Sequence, residues 1–204
     1  MRILFKYATR NRPELFDRGM RSILDNVASD NFHILVSIDN DDKNHYKDYP
    51  NTTIVRGESF NKVDAINRDI DLIDGWDILV NMSDDMVFTV KGFDDIIRDN
   101  FDHCLHFPDG NRNDLITMSI ISREFYTRFG YIYNPEYKSL YCDNEQTEVA
   151  KILGCYKFIN QQIFEHLHPA YGKAHFDLQY QHTESFGYED SQTFLRRQKI
   201  NYGL

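Results

Sequence analysis

The chain has 204 residues, of which 41% are hydrophobic and 27% charged, with 23 basic against 32 acidic side chains and a net charge of −9. This length suits one domain with a sizeable core, and no apolar stretch approaches the roughly 20 residues needed to span a bilayer. The opening lacks the long apolar centre of a signal peptide, and the three cysteines are too scattered for a disulfide framework. We therefore expect a cytoplasmic protein without stable membrane insertion. The acidic balance disfavours nucleic acid as a main partner but suits a metal-bridged phosphate ligand.

The first 85 residues alternate between short apolar runs and amphipathic segments. Four apolar runs bounded by turn residues are predicted as strands: 2–7, 33–38, 52–57 and 77–82. Helical spacing of apolar residues predicts a helix over 13–27, with Asn11 as its cap, and another that carries Val63, Ile66 and Ile70. The order β-α-β-β-α-β predicts an α/β fold with a mostly parallel central sheet between two helical layers, a Rossmann-like α/β/α sandwich.

The second half is less regular. A strand is predicted over 115–122, a helix over 143–153 with Asp143 as a possible cap and Gly154 at its end, and a strand over 155–159. The tail after residue 170 shows no clear periodicity. Because there is no repeat or Pro/Gly-rich linker, we expect a single domain over 1–204.

Polar residues follow several of the predicted strands. Ligands of such sheets bind beyond the carboxyl ends of the strands, so Asp39 and the segment Ser83-Asp84-Asp85 are expected at one rim. Two carboxylates there could hold Mg²⁺ or Mn²⁺, or they could form a solvated turn. Asp39 could accept hydrogen bonds from a base or ribose, or belong to an ordinary acidic loop. Three cations could meet phosphates or simply lie at the surface: Arg10, Arg12 and Lys62.

Further candidates lie in the second half. If the chain is extended there, His166 and His168 share one face, and imidazole is a common ligand of transition metals. Asp143 and Glu145 open a predicted helix, where a carboxylate could act as a general base or could merely favour the helix dipole. Pro108-Asp109-Gly110 is predicted as a turn.

Together, these segments resemble a GT-A glycosyltransferase, close to the family-2 group. Residues 3–24 resemble that family's opening strand, Asn-Arg-Pro-type turn and first helix, and residues 38–42 resemble its V-D-D-x-S-x-D segment. Residues 60–67 are similar to its G-K-x-x-A-L-N segment, and Ser83-Asp84-Asp85 stands in its DXD position with Ser83 replacing the first aspartate. Residues 143–145 resemble its later acidic motif, and His166 or His168 resembles its C-terminal metal-binding histidine.

The resemblance implies a metal-dependent transfer of a sugar from a nucleotide-diphosphate sugar, with a UDP-sugar as the expected donor, to an acceptor hydroxyl with inversion. The implied cofactor is Mn²⁺ or Mg²⁺, held by Asp85 and by His166 or His168. Six residues are assigned to the nucleotide sugar: Thr9, Arg10, Arg12, Asp39, Lys62 and Asp84. Asp143 is the preferred catalytic base and Glu145 the alternative. Residues 1–90 would then form the nucleotide-sugar-binding half, and 91–204 the acceptor-binding half with the metal histidine.

Other functions stay open at the level of sequence. A non-catalytic module that binds nucleotide sugars or glycans is one, and a nucleotidyltransferase is less favoured because the turn over 8–13 has no glycine. The acceptor could be a glycan, a lipid-linked sugar or, as for phage-type transferases, a modified base in DNA. Two basic strips could contact DNA phosphates or be solvated surface: Arg123, Arg128 and Lys138, and Arg196, Arg197 and Lys199. Neither the transferred sugar nor the oligomeric state follows from the sequence.

Overall fold

The protein has nine strands and seven α-helices, in a computed structural model that describes residues 1–204. The strands are β1 (Ile3–Thr9), β2 (Phe32–Asp39), β3 (Thr52–Gly57), β4 (Ile78–Met82), β5 (Met86–Phe88), β6 (Cys104–His106), β7 (Ile120–Ser122), β8 (Tyr156–Phe158) and β9 (Phe164–His166). The helices are α1 (Pro13–Leu24), α2 (Lys62–Asn67), α3 (Phe93–Asn100), α4 (Arg123–Phe129), α5 (Cys142–Ile152), α6 (Leu178–Glu184) and α7 (Gly187–Lys199).

Seven strands form the central sheet in the order β3-β2-β1-β4-β7-β6-β8. The pairs of β1 with β2 and β4, of β2 with β3, and of β6 with β8 are parallel. Only β7 runs against its neighbours, since its pairs with β4 and β6 are antiparallel. The predicted mostly parallel sheet is therefore confirmed, and the predicted β-α-β-β-α-β order of the first 85 residues is present as β1-α1-β2-β3-α2-β4.

Each face of the sheet is covered by its own apolar core. One core joins Ile3 and Phe5 of β1 to buried side chains of α1 and α3, such as Met20 and Ile97. The other joins alternate residues of the same strands to α2, α4 and α5, for example Leu4 to Val149. Because successive side chains of a strand point to opposite faces, apolar runs without alternation mark strands buried on both sides. The three layers confirm the predicted α/β/α sandwich.

Several predicted elements are wrong in their bounds or caps. The strand expected over 115–122 forms only as β7, and the tail, where the sequence shows no clear periodicity, contains α6 and α7. Asn11 does not cap α1, since Arg12 holds the cap position without a side-chain bond and Asn11 has a φ of 57°. Asp143 does not cap α5, because Tyr141 precedes its first residue Cys142.

A second, two-stranded sheet determines where the later candidates lie. β5 pairs antiparallel with β9, which sets Met86 opposite His166. β5 directly follows Ser83-Asp84-Asp85, so this pairing brings that segment beside the histidine pair. No helix of the protein combines the length and apolar character that a membrane crossing requires.

Candidate active site

A cavity opens at the carboxyl ends of β1, β2 and β4, where the parallel pairing places the residues after each strand side by side. The space it encloses, including the open mouth, is about 710 Å³. All six residues assigned to the nucleotide sugar line it together with Asp85: Thr9, Arg10, Arg12, Asp39, Lys62 and Asp84. Only three of its 15 lining residues are hydrophobic, so its walls suit a polar ligand.

Two buried carboxylate oxygens in this wall have no hydrogen-bond partner: Oδ1 of Asp39 and Oδ1 of Asp84. Asp84 accepts a bond from the Thr9 hydroxyl through its other oxygen at 3.2 Å. Burial raises the pKa of Asp84 to about 7, although the charge of Arg12 opposes the shift. Since buried polar atoms almost always find partners, two orphaned oxygens in one cavity wall indicate that a ligand supplies hydrogen-bond donors or cations there.

Asp85 lies between groups that favour its ionised form. His166 Nε2 is 3.3 Å from Asp85 Oδ2, and the Tyr180 hydroxyl donates to the same oxygen at 2.8 Å. Burial disfavours the charge, but the hydrogen bond and charge of His166, the charge of Lys62 and the Ser83 hydroxyl outweigh it and lower the pKa of Asp85. Asp85 is thus a carboxylate at neutral pH, which is the form that binds a cation.

His166 is held by carboxylates on both ring nitrogens. Its Nδ1 is 3.3 Å from Asp109 Oδ2, and burial, which alone would lower its pKa, is outweighed by Asp109 and Asp85, which raise it to about 9. Asp109 is 1% exposed and also accepts the backbone N–H groups of Asn111 and Arg112. The predicted turn at 108–110 thus supplies a buried carboxylate that orients His166, a role that the sequence did not reveal.

His168 has a different environment from His166. Its Nδ1 accepts the Ala170 N–H at 3.2 Å at the start of the 3₁₀ turn Pro169–Tyr171. Its ring lies 5.2 Å from those of His166 and Tyr180, between centroids, and burial lowers its pKa. The two histidines are therefore adjacent, as the spacing predicts for an extended segment, but only His166 contacts Asp85.

The residues at this corner fit a divalent cation that is shared with a ligand. No group of three or more His, Cys, Asp or Glu side chains is arranged to hold a metal by itself. A carboxylate and an imidazole in contact, with Asp109 behind the imidazole, are nevertheless a donor set that Mn²⁺ or Mg²⁺ can use when phosphate oxygens complete the coordination.

Helix α6 forms the wall of the cavity that sequence reasoning missed. Its Gln179, Tyr180, His182 and Thr183 line the cavity, and Tyr180 is its only buried residue. The preceding Asp177 caps the helix and receives two hydrogen bonds from Arg12. Asp177 ahead of a short polar segment is a capping signal in the sequence, but no apolar periodicity accompanies it.

The three cations that line the cavity differ in the number of ion pairs they form with the protein. Arg12 bonds Asp177 at 2.6 and 2.9 Å and lies 4.3 Å from the Tyr180 ring centroid. Arg10 pairs with Asp41 and lies 3.4 Å from Asp39. Lys62 has no ion-pair partner within 4 Å, so it is the cation most available to an anionic ligand.

A series of hydrogen-bonded polar side chains, from Lys6 to Arg68, lies beside the end of β2. The Lys6 ammonium, 0% exposed, bonds the Ser37 hydroxyl, which donates to Asp69 at 2.7 Å. Arg68 bonds Asp69 at 2.6 Å and the Ile38 carbonyl at 2.8 Å, next to Asp39. Burial lowers the pKa of Lys6 to about 7, although Asp69 raises it.

The structure separates the two candidate bases. Asp143 is partly exposed on the first turn of α5, and burial raises its pKa while Lys62 opposes the shift. Glu145 is 4% exposed and both its oxygens are occupied, by Arg197 at 2.6 and 2.8 Å, by the Tyr137 hydroxyl at 2.7 Å and by the Asn134 amide at 3.0 Å. Two residues along a helix point in nearly opposite directions, so Glu145 faces the protein interior and has no oxygen left for an acceptor.

No protein-family model matches this chain, and no curated protein matches it in sequence. Solved structures do. S. aureus TarS superposes with a TM-score of 0.62 at 12% identity, over 80% of this chain and 36% of TarS. TarS 1–349 in complex with UDP-GlcNAc gives 0.61 at 12% identity, over 80% of this chain and 57% of that one. The mannosyltransferase PcManGT from Pyrobaculum calidifontis, in complex with GDP-Man and Mn²⁺, gives 0.57 at 14% identity, over 78% and 54%.

The protein has the GT-A fold. Identities of 12 to 14% establish the fold and leave the function to be argued from the site. This chain spans between about a third and three fifths of the length of these GT-A structures. The fold implied by the sequence resemblance is thereby confirmed.

Proposed function

We propose that the protein is a glycosyltransferase that moves a sugar from a UDP-sugar to an acceptor hydroxyl with inversion. The observation that carries the proposal is the cavity of the GT-A fold, where Asp39, Asp84 and Asp85 meet and two buried carboxylate oxygens have no partner. Complexes of fold neighbours with UDP-GlcNAc and with GDP-Man and Mn²⁺ support the class of donor.

The donor is oriented by groups along the strand ends. Asp39 accepts an N–H of the base, Asp84 accepts a ribose hydroxyl, and Thr9 holds Asp84 in place. Lys62, which has no protein partner, faces the diphosphate, with Arg10 beside it. Arg12 joins them when the phosphates replace Asp177, because a guanidinium binds either anion through the same two N–H groups.

A divalent cation would be held by Asp85 and by His166, whose Nε2 would give up its proton to solvent, and the bound cation would neutralise charge on the leaving diphosphate. Asp109 keeps the His166 ring in the orientation that offers Nε2 toward Asp85. We prefer His166 to His168 as the ligand because His168 uses its Nδ1 in the turn that follows.

Asp143 is the base of the proposed reaction. It removes the proton of the acceptor hydroxyl while that oxygen forms a bond to the anomeric carbon and the bond from this carbon to the phosphate oxygen breaks. The nucleoside diphosphate leaves with the electron pair, and attack opposite to it inverts the anomeric centre. A raised pKa suits this role, since a base is most effective when its pKa lies closer to the working pH.

The division of labour between the two halves is also a proposal. Residues 1–90 provide 11 of the 15 residues that line the cavity, and residues 91–204 add the four of α6. Asp143, His166 and His168 do not line the cavity, and we assign them to its acceptor and metal sides. We infer that the acceptor approaches between α5 and α6.

Charge pairing favours a glycan or lipid-linked sugar over DNA as the acceptor. Four of the six cations in the two basic strips are paired: Lys138 with Glu189, Arg196 with Glu136, Arg197 with the buried Glu145, and Arg123 with Asp74. Arg128 and Lys199 form no ion pair. A strip whose cations are paired within the protein releases few counterions from DNA. Transfer that is insensitive to added salt is expected, and a steep loss of activity with salt would favour DNA.

A thermal-shift screen with and without Mn²⁺ tests the proposal, using UDP-glucose, UDP-galactose, UDP-GlcNAc and GDP-mannose. A donor at 100 times its Kd should raise the melting temperature by about 5 to 10 °C. Asp85→Ala should remove the metal-dependent part of the shift, whereas the exposed Asp99→Ala should keep it. Calorimetry that finds equal donor affinity in wild type and Asp85→Ala would remove Asp85 from the metal site. Binding without release of nucleoside diphosphate would leave a non-catalytic module.

A further inference from the structure

The C-terminal helix α7 packs against a segment that links the two sides of the candidate active site. Residues 132–141 form this linking segment, which runs from the end of α4 to the start of α5. Lys62 opens α2 on the donor side, and Asp143 lies in the first turn of α5. The linking segment contacts both helices, and α7 covers it from outside.

The linking segment is bonded to both ends of α2. Near the start of the helix, the Val63 N–H donates to the Lys138 carbonyl at 3.1 Å. At its end, the Asn67 side chain accepts the N–H groups of Ile132 and Tyr133 at 3.0 and 3.1 Å and donates to the Tyr133 carbonyl at 2.6 Å. A six-residue helix held at both ends moves with the segment that holds it.

Asp190 of α7 fixes the middle of the linking segment. Its carboxylate is 0% exposed and accepts three consecutive backbone N–H groups, those of Lys138, Ser139 and Leu140, at 2.9, 2.8 and 2.8 Å. Bonds from N–H groups to a buried carboxylate are stronger than those between neutral groups. The residue whose carbonyl holds α2, Lys138, is thus itself held by α7.

Arg197 of α7 fixes the start of α5. Its guanidinium grips Glu145 through two bonds at 2.6 and 2.8 Å and donates to the Tyr202 carbonyl at 2.7 Å, with its side chain 9% exposed. Glu145 lies one half-turn from Asp143 on the same helix, so the ion pair determines how the first turn of α5 is rotated.

We propose that Asp190 and Arg197 are positioning residues, through which α7 sets the separation between Lys62 and Asp143. The inference rests on the proposed function, because it gives the donor side to Lys62 and the acceptor side to Asp143. No residue of α7 lines the cavity. α7 keeps α2 and α5 at a fixed position relative to each other. The rate of transfer depends on that position because small misplacements of reacting groups slow a reaction strongly.

Asp190→Asn tests the proposal, with the donor selected by the thermal-shift panel and with water as the acceptor. The readout is nucleoside diphosphate released per donor-binding site, where the sites are counted by calorimetric titration so that unfolded protein does not contribute. We expect a rate per site, measured at saturating donor, that is lower by about tenfold or more. Glu189→Gln is the matched control, since Glu189 precedes Asp190 and forms only an exposed ion pair with Lys138. It should keep the wild-type rate.

Hydrogen exchange provides a second readout that needs no turnover. Asp190→Asn should speed exchange of the Val63 and Glu145 amides as well as those of residues 138–140. Faster exchange confined to residues 138–140, or a wild-type rate per site, would overturn the proposal.

If Asp190→Asn does not fold, Arg197→Lys takes its place, because lysine cannot form the paired bonds to Glu145. If the wild-type protein shows no turnover of the donor, the proposed function is refuted. The hydrogen-exchange measurement then decides by itself whether α7 couples α2 to α5.

Discussion

The buried ammonium of Lys6 should make the stability of this protein depend on pH in a way that one substitution removes. Lys6 lies in the central strand β1 with 0% exposure, and its charged neighbours are Asp69, reached through Ser37, and Arg68. Replacing it in Lys6→Met keeps a side chain of similar length, and Ser37 keeps its bond to Asp69. At pH 7 we expect the variant to be more stable than wild type, which is the reverse of the usual result for a buried position.

The magnitude follows from the two pKa values. The pKa of Lys6 is 10.5 in the unfolded chain and about 7 in the folded one, so between these values the unfolded state binds more protons and stability rises with pH. The proton on Lys6 is bound more tightly in the unfolded chain, and this favours unfolding. By the linkage relation, it lowers the free energy of unfolding by about 4 kcal/mol at pH 7 and by about 2 kcal/mol at pH 9. The advantage of Lys6→Met should therefore shrink by about 2 kcal/mol between these two pH values.

Urea unfolding of both proteins at pH 7, 8 and 9 measures this difference, since all other titrating groups cancel between them. Leu4→Met is the matched control, because Leu4 is buried on the same face of β1 and has no titratable group. Its effect should be independent of pH. A difference between Lys6→Met and wild type that stays constant from pH 7 to pH 9 would refute the reasoning, because Lys6 would then be ionised throughout, with Asp69 compensating its burial.

Three further predictions concern the site and its support. Asp143→Asn should keep the affinity for the donor by calorimetry and lose transfer, and wild-type turnover would exclude Asp143 as the base. Glu145→Gln should lower the free energy of unfolding by about 3 kcal/mol in urea, because it weakens a buried ion pair with Arg197, whereas Asp143→Asn should change it little. Asn61→Ala should cost about 1 kcal/mol, since the Asn61 side chain caps α2 by accepting the Asp64 N–H, and equal urea midpoints would contradict that role.

Local sequence patterns predicted the order of strands and helices in the first 85 residues. Strands β1, β2 and β4 are apolar runs long enough to be buried on both faces, and the polar residues after them mark one edge of a parallel sheet. That rule placed Asp39 and the segment Ser83-Asp84-Asp85 at one rim, and the structure brings them to one cavity. The argument succeeds because parallel strands end together whatever the rest of the chain does.

The end of the chain resists such reasoning because polar contacts hold α6 and α7 in place. α6 buries only Tyr180, and α7 buries Asp190 and Arg197, so neither helix shows an apolar stripe. A buried carboxylate or guanidinium is stable only beside its partner, and the partners of Asp190 and Arg197 lie about fifty residues earlier in the chain. Such pairs leave no periodic signal.

The sequence by itself determined the α/β class, the edge of the sheet that carries the cavity and seven of its 15 lining residues, but not those of α6. The tertiary structure gave different surroundings to neighbouring residues that look alike in the sequence. It turned Glu145 inward to Arg197 and left Asp143 open, and it placed His166 rather than His168 against Asp85. The reason is geometric. Asp143 and Glu145 lie two residues apart in a helix, and His166 and His168 lie two apart at the end of a strand, so local sequence does not distinguish the members of each pair. Only the parts of the chain that pack against them do.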